Sequence, residues 1–374
     1  MGNPIPFTPP HVSVNRVQIL DLPGIAVDPQ VRGRQAYELL SSRAITSYAR
    51  ERAAELALPA VYLRDTIRTR VDLPRYVADC LDSPRAPVQV AARSIGRRLG
   101  RNLGYILLTL RRGDAVNRDA RSDWTSVDWD RWRSIEKIWL GGGLMSGQLG
   151  ELVLHHADQI LIECGYAGRI RVAISPHRGE IALLGAARYL PSCAQQTLCM
   201  DLGQTLVKRA CIQLAGGSLA GMNRYSPLVV DWDRLGVPGQ PDPGRGEQVL
   251  DFVAGAIAQT WDRCVEEGIS PGKDVMLSVA AYVQNGRLLG NGIYAQMHAL
   301  AEDIRPSLVE SVKARTGVTF RMHFIHDGTA AAALHAGERN AAVIIVGTAL
   351  GIGFPPTETA DLRPLALVKE SHPA

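Results

Sequence analysis

The stretch TLCMDLGQTLVK, residues 197–208, is a short apolar strand that ends on Asp201 and a turn with the pattern D-x-G-x-T-x-x-K. Gly203 lets the backbone approach a phosphate, and Thr205, Lys208 and backbone N–H groups can donate hydrogen bonds to it. Asp201, at the end of the strand, can hold a hydrated Mg²⁺ ion. An ordinary hairpin turn has the same pattern, so this stretch alone leaves a phosphate site and a structural turn equally open.

A second strand leads to another carboxylate. Ile325 and His326 end this strand, and Asp327 precedes an alanine-rich helix that begins around Gly328 and Thr329. A carboxylate at a strand-to-helix junction can accept the proton of a substrate hydroxyl in a cleft. The same position also suits a helix N-cap, which is the simpler interpretation of a lone aspartate. Asp327 is therefore the candidate general base, with the N-cap as the alternative.

Two further strands run directly into glycine-rich turns, after residues 138–140 and after the apolar run 341–346. Each turn could serve packing alone. Four such turns in one chain favour a ligand site, because ligands of α/β sheets bind beyond the carboxyl ends of strands. The candidate contacts in these two turns are Gly141, Gly142, Gly143, Gly347, Thr348 and Gly351.

The patterns between these turns predict helices first and then strands alternating with helices. Apolar residues recur at three and four residue steps between 35 and 112, as a buried helix face requires. Residues 1–30 predict a surface tail, and 230–247, rich in Pro, Gly and Asp, predicts an exposed loop. The other predicted elements are strands 135–140, 169–174, 197–203, 274–280, 321–325 and 341–347, a hairpin strand at 206–214, and helices 148–163, 180–190, 248–267, 299–316 and 328–337.

Composition limits the classes of partner. The chain has 374 residues, 46% of them hydrophobic, which is enough for two domains with a real core. Its 41 basic and 37 acidic residues are interspersed, so no nucleic-acid partner is expected. No targeting segment or membrane span is indicated, and a cytoplasmic location is expected. The cysteines are scattered and predict no zinc site; they are Cys80, Cys164, Cys193, Cys199, Cys211 and Cys264.

Together the four turns resemble those of the ROK family of sugar kinases and repressors, in the hexokinase and actin superfamily. In that family the turn equivalent to Gly141 comes last in the chain, whereas here it comes first. Residues 31–45 resemble the helix of the family's zinc-loop region, and 181–190 resemble its C-terminal helix. A circular permutation with termini in a surface loop explains this order. The resemblance covers about 30 to 372 in permuted order.

The resemblance implies a circularly permuted α/β chain with the two-domain actin-like ATPase fold, which is ribonuclease H-like. It places a larger domain at 21–198 plus 338–374, a smaller domain at 199–337 and an N-terminal tail at 1–20, with ATP and substrate in the cleft. The strand 341–347 should pair in the sheet of the larger domain, despite its distance in sequence from 135–190. A homodimer is expected.

The resemblance also implies an ATP-dependent kinase that phosphorylates a hydroxyl of a sugar or a sugar-like small molecule. Asp327 would accept the proton, and Asp201 would orient Mg²⁺ on the phosphates. The implied phosphate and nucleotide contacts are Gly203, Thr205, Lys208, Gly347, Thr348, Gly351, Gly141, Gly142 and Gly143. The implied contacts to the sugar are Asn291, His326, Glu370 and His372.

This sequence departs from the family at four places. The zinc cysteines are missing, Gln204 replaces the second glycine of the first phosphate turn, Thr329 replaces an asparagine, and the turn 347–353 has an extra residue. Two other functions stay open. One is a catalytically silent sugar-binding sensor, and the other is a kinase of a cyclitol or natural-product precursor. A DNA-binding role is not expected, because the N-terminal helices match the kinase body.

Overall fold

A computed structural model describes residues 7–64, 66–191, 195–235, 242–290 and 292–366. The chain is a mixed α/β protein that forms two compact units. We name them the helix-rich unit, residues 11–181 and 338–354, and the five-stranded unit, which holds 182–337 together with the described parts of the two chain ends, 7–10 and 355–366.

The described helices are numbered in chain order. They are α1 Ala36–Leu39, α2 Ser42–Glu51, α3 Ala53–Leu56, α4 Ile67–Asp79, α5 Ala86–Arg112, α6 Ala115–Asp119, α7 Ser126–Ser134, α8 Gly147–Glu163, α9 Ile181–Ala187, α10 Trp232–Leu235, α11 Pro243–Glu266, α12 Arg305–Thr316 and α13 Asp327–Ala333.

The described strands form a four-stranded sheet β11-β10-β1-β2, a five-stranded sheet β5-β4-β3-β6-β9 and a hairpin β7-β8. They are β1 Lys137–Gly141, β2 Arg171–Ile174, β3 Gln196–Leu202, β4 Leu206–Ala215, β5 Ser218–Val229, β6 Asp274–Val279, β7 Tyr282–Gln284, β8 Arg287–Leu289, β9 Arg321–His326, β10 Ala341–Val346 and β11 Leu350–Gly353.

The helix-rich unit is built on the 27-residue helix α5, which packs closely against α8. Gly96, Gly100 and Gly104 lie at four-residue steps on α5, where a side chain would come within 2.6 Å of Leu152, Val153 or Ile160 respectively. Residues four apart share one helix face, so this row of glycines lets the two helices approach. In the sheet of this unit, β10 pairs with β1 in parallel, as the sequence predicted for the strand at 341–347.

The N-terminal tail predicted at residues 1–20 is wrong for its second half. Val14, Val17 and Ile19 are fully buried in the core of the helix-rich unit. Gln18 forms an antiparallel bridge with Gln35, which holds this segment against the start of α1. The segment has no α-helical or strand periodicity because it consists of two single-turn 3₁₀ helices, Pro10–Val12 and Val14–Arg16, and irregular backbone. Its apolar side chains are nevertheless buried, which stabilises the unit.

The five-stranded unit begins earlier than the predicted boundary at residue 199. Helix α9 belongs to this unit from Ala182 onwards. The segment 355–366 belongs to it as well, and its Leu365 forms a parallel β-bridge with Leu219. Leu183, Leu184 and Ala187 of α9 lie in its core. The predicted larger domain therefore wrongly included these two segments. Their apolar faces pack on the five-stranded sheet.

Two other predictions need correction in this unit. Strand β5, the third strand of the antiparallel series β3, β4 and β5, was not predicted. Its outer residues are polar, and Pro227 lies within it. The predicted loop 230–247 is partly helical: α10 lies within it, and α11 begins at Pro243 behind the N-cap Asp242, whose side chain accepts the N–H of Arg245. Residues 236–241 lie outside the described residues.

Gly185 of α9 lies close to the backbone of α13. A β-carbon at this position would overlap the carbonyl oxygen of Ala330. We expect Gly185→Ala to lower the free energy of unfolding by about 1–3 kcal/mol or more, because a packed core gives way poorly to an added methyl group. Urea unfolding measures this change.

Gly255→Ala is the matched control for Gly185→Ala. Gly255 lies inside α11 with no heavy atom within 4 Å of a β-carbon. Alanine should therefore stabilise the protein there by about 0.5–1 kcal/mol through helix propensity. Equal stability of the Gly185→Ala variant and the wild-type protein would contradict the close crossing of α9 and α13.

Candidate functional site

Three neighbouring parallel strands of the five-stranded unit end at one edge of its sheet, and each carries a polar residue there. Asp201 lies next to the end of β3, opposite Ser278 of β6. His326 ends β9, opposite Val279 of β6. The carboxyl ends of parallel strands are where α/β sheets bind ligands. The tertiary structure thus brings the two predicted carboxylates, Asp201 and Asp327, to the same edge.

Asp201 and Lys208 form an ion pair. They are opposite each other in the antiparallel pair β3 and β4, and the Lys208 Nζ atom lies 2.9 Å from Asp201 Oδ2. The other oxygen, Oδ1, accepts a hydrogen bond of 3.3 Å from the Ser278 hydroxyl. The Asp201 side chain is 8% exposed and that of Lys208 is 32% exposed. The lysine therefore reaches the surface beside a nearly buried carboxylate.

Asp327 is the first residue of α13, and the N-cap of this helix is the residue before it. His326 is the N-cap, and its side chain accepts the N–H of Thr329. The alternative interpretation of Asp327 as an N-cap is therefore wrong. Asp327 Oδ1 accepts the N–H of Gly328 at 2.7 Å and also lies 3.2 Å from His326 Nε2. Asp327 Oδ2 accepts no hydrogen bond from any residue that the structure describes.

The environment of Asp327 suits proton transfer near neutral pH. Burial, and after it the negative charge of Asp201, raise the pKa of Asp327 from its ordinary value of 3.8 to about 7. The N–H of Gly328 and the positive charge of Lys208 act in the opposite direction. A general base is most effective when its pKa is close to the working pH. Asp327 has that property, and one of its oxygens is available.

The turn between β3 and β4 is held by side chains that the sequence did not single out. The hydroxyl of Tyr294 donates to the Gly203 carbonyl at 2.8 Å, and the indole of Trp232 donates to the Gln204 carbonyl. The Gln204 side chain donates to the Ala280 carbonyl at 2.9 Å. Gln204 therefore ties the turn to the segment after β6. No motif reveals these contacts, because the partners are distant in sequence.

Gly203 and Thr205 are both half-buried. A β-carbon at Gly203 would lie 2.8 Å from the Leu206 carbonyl oxygen, so glycine keeps the turn compact. The backbone of Thr205 accepts the N–H of Val230 at 3.0 Å. The turn is therefore also a hairpin turn, and the two interpretations of its sequence are compatible.

In the helix-rich unit, the two predicted glycine turns are neighbours. Gly141 ends β1 opposite Ile345 of β10. Gly142 has a φ of +95°, and a β-carbon there would overlap the Val346 carbonyl. Glycine at position 142 is therefore required by the close approach of the two strand ends. Gly143 has open space where a side chain would lie, so it is available to a ligand.

The second of these turns is a tight β-hairpin. Gly347 follows β10, and its carbonyl accepts the N–H of Ser42 at 2.8 Å. Thr348 is half-buried in the turn. Gly351 lies inside β11, also opposite Ile345, rather than in the turn as the sequence predicted.

Three predicted contacts to the substrate, Asn291, Glu370 and His372, lie outside the described residues. The fourth, His326, is next to Asp327 and is 7% exposed. The sequence analysis did not identify Ser278. Like Asp201, Ser278 lies next to the end of an apolar strand, and this position was a usable signal. It also missed Tyr282, whose ring stacks on that of His326 at 4.6 Å between centroids.

The role predicted for Asp201, to hold a magnesium ion through water, stays a prediction. Mg²⁺ is usually held by one or two carboxylates together with substrate phosphates and keeps several waters. Within the described parts of the chain, no three His, Cys, Asp or Glu side chains group together to bind a metal ion by themselves. The sequence-based expectation that zinc does not bind stays a prediction.

None of the described helices is both long and apolar enough to cross a membrane. Comparisons of the chain with protein-family models, with curated proteins and with solved structures found no match.

Proposed function

We propose that this chain is an ATP-dependent phosphotransferase that phosphorylates a hydroxyl of a sugar or similar small polyol. One observation carries the proposal: Asp327, with its pKa raised to about 7, lies at the same sheet edge as the ion pair of Asp201 and Lys208. Phosphoryl transfer needs a base for the attacking hydroxyl and charged groups for the phosphates. These three side chains supply both.

In this proposal, Asp327 Oδ2 accepts the proton of the substrate hydroxyl while that oxygen attacks the γ-phosphorus of ATP. The new bond joins the substrate oxygen to phosphorus, and the bond to the β-phosphate oxygen breaks and releases ADP. Oδ2 suits this role because the hydrogen bond from Gly328 and the contact with His326 are both made by Oδ1. Positioning of this kind supplies much of the rate in phosphoryl transfer.

Asp201 and Lys208 would act on the phosphates. Lys208 reaches the surface and can donate to phosphate oxygens, while Asp201 would hold Mg²⁺ through water. When bound, Mg²⁺ neutralises charge on the phosphates. The roles of Gly143 and Thr348 in nucleotide binding stay predictions from the resemblance to the ROK family.

The sheet of the five-stranded unit supports the fold that this proposal assumes. Its first three strands form an antiparallel meander, and β6 and β9 continue from β3 in parallel. This arrangement is compatible with a ribonuclease H-like domain. The parallel pairing of β10 with β1 is what a circular permutation requires. Both the actin-like ATPase fold and the permutation remain part of the proposal.

The test is a coupled assay of ADP release with Mg·ATP over a panel of hexoses, amino sugars and cyclitols. Transfer is expected to at least one acceptor, with phosphate found on that acceptor by mass spectrometry. A cyclitol as the preferred acceptor would select that alternative. Sugar binding without ADP release would select the silent sensor and refute the phosphotransferase.

The pH dependence of kcat/KM for Mg·ATP provides a separate prediction. Asp327 acts as a base only when ionised, and its pKa is raised to about 7, so the rate should fall as the pH decreases through about 7. Above that pH, the acid limb should level off. An acid limb near pH 4, the ordinary range of a carboxyl group, would contradict the assignment of Asp327.

A further inference from the structure

Two buried side chains hold the carbonyl groups of the turn between β3 and β4. The Tyr294 hydroxyl donates to the Gly203 carbonyl at 2.8 Å, and the Trp232 indole N–H donates to the Gln204 carbonyl. Tyr294 is 0% exposed and Trp232 is 7% exposed, so both donors lie inside the five-stranded unit. A hydrogen bond from a buried donor is stronger than one in water, so these two contacts fix the direction of both carbonyl groups.

The direction of a carbonyl group also fixes the N–H group that follows it. In a planar trans peptide, the C=O of one residue and the N–H of the next residue point in opposite directions. The N–H of Gln204 therefore points away from Tyr294, and the N–H of Thr205 points away from Trp232. Within the described parts of the chain, neither of these N–H groups nor the Thr205 hydroxyl donates a hydrogen bond. The turn therefore presents two successive backbone donors and a hydroxyl that are available to an anion.

Tyr294 and Trp232 both remain donors at physiological pH. Burial, and after it the negative charge of Asp201, raise the pKa of the Tyr294 hydroxyl well above its ordinary value of 10. The hydroxyl therefore keeps its proton, and the indole N–H of Trp232 can only donate. The peptide groups of the turn thus keep one orientation over the pH range in which the proposed reaction is measured.

The side chain of Gln204 holds the same turn to two further segments. Its Nε2 atom donates to the Ala280 carbonyl at 2.9 Å, and its Oε1 atom accepts the N–H of Ile293 at 3.3 Å. Ile293 and Tyr294 begin the same 3₁₀ helix, Ile293–Ala299, so this helix contacts the turn at two places. Donors that are already oriented bind an anion without a further cost of reorganisation.

We propose that Tyr294 and Trp232 are positioning residues, which hold two carbonyl groups of the turn so that the N–H groups of Gln204 and Thr205 donate to a phosphate oxygen of ATP. This inference rests on the proposed function, because it takes the phosphates of ATP as the anion. The two side chains act through the turn and not on the phosphate itself. Loss of either contact should therefore weaken the interaction with Mg·ATP and leave the interaction with the acceptor unchanged.

Kinetics of matched variants test this role. Tyr294→Phe loses only the hydroxyl and keeps the buried ring, and kcat/KM for Mg·ATP should fall by about 10-fold with KM for the acceptor unchanged. Trp232→Phe loses the indole N–H and should lower the same constant by a similar factor. Tyr76→Phe is the control, because the Tyr76 hydroxyl donates to the Leu56 carbonyl at 3.0 Å in the helix-rich unit, and its kcat/KM should equal that of the wild-type protein. An unchanged kcat/KM in Tyr294→Phe, or a fall of the same size in Tyr76→Phe, would overturn the inference.

Calorimetric titration with magnesium pyrophosphate tests the turn without any turnover. The wild-type protein and Tyr76→Phe should bind pyrophosphate equally, and Tyr294→Phe should bind it about 10-fold more weakly. Equal binding by Tyr294→Phe, or no binding by the wild-type protein, would overturn the inference. If no acceptor is phosphorylated but Tyr294→Phe weakens pyrophosphate binding, the proposed function fails while the positioning of the turn stands. If transfer occurs and Tyr294→Phe changes neither kcat/KM nor pyrophosphate binding, the positioning role fails while the proposed function stands.

Discussion

Asp327→Asn is expected to lower kcat by about 10²–10⁴, with KM for ATP and acceptor nearly unchanged. Asparagine keeps the size of the side chain and can still accept the N–H of Gly328, but it cannot accept a proton from the substrate hydroxyl. Loss of a general base typically costs a rate factor of this size. Steady-state kinetics with the acceptor found in the ADP-release screen measure it.

The stability of the same variant is the control. Because burial and Asp201 both raise the pKa of Asp327, the ionised carboxylate is disfavoured in the folded protein at neutral pH. A neutral asparagine relieves this cost, so the melting temperature should equal or exceed that of the wild-type protein. A kcat close to wild type would refute Asp327 as the base. A lower melting temperature would instead assign the residue a structural role.

Asp201→Asn is expected to lower kcat/KM for Mg·ATP by about 10²–10³. The variant removes the charge that would hold Mg²⁺ in the proposed function, and it removes the carboxylate that pairs with Lys208. Removing one preorganised electrostatic contact to a reacting group typically costs this factor. The loss should be smaller with excess Mg²⁺ if it arises from metal binding, which kinetics over a range of Mg²⁺ concentrations will show.

The pH dependence of the activity that remains in Asp201→Asn distinguishes an electrostatic role of Asp201 from a folding defect. Asp201 raises the pKa of Asp327, so Asp201→Asn should move the acid limb to lower pH. Lys208 lowers the same pKa, so Lys208→Met should move the limb to higher pH. Shifts in the same direction for the two variants, or no shift in either, would show that these charges do not act on Asp327.

The sequence predicted the local features of the site. A strand that ends on Asp201 and a strand that leads into Asp327 are recognised from residues that adjoin in the chain, because apolar runs and the polar residues after them are local patterns. The same is true of the glycines after β1 and β10. The carboxylates and glycines at these strand ends predicted that a phosphate group or another ligand binds there.

The sequence failed where burial depends on distant segments. Val14 begins a single-turn 3₁₀ helix and Val17 follows it, so the element is too short to show a periodic pattern. Only the core of the helix-rich unit shows that both residues are buried. Helix α9 has an ordinary apolar pattern that fits either unit, and only the tertiary structure shows that Leu183, Leu184 and Ala187 pack in the core of the five-stranded unit. A local sequence pattern shows which face of a helix or strand is apolar. It does not show which other segment of the chain packs against that face.

By itself, the sequence determined that this protein has carboxylates and glycines at strand ends. Only the tertiary structure decided that Asp201 and Asp327 lie at one sheet edge, that His326 is the cap of α13, and that the pKa of Asp327 is raised. The physical reason is that hydrogen-bond direction, burial and charge coupling depend on the distances between atoms in space. Residues such as Thr8 and Thr329, 321 positions apart, meet only when the chain is folded.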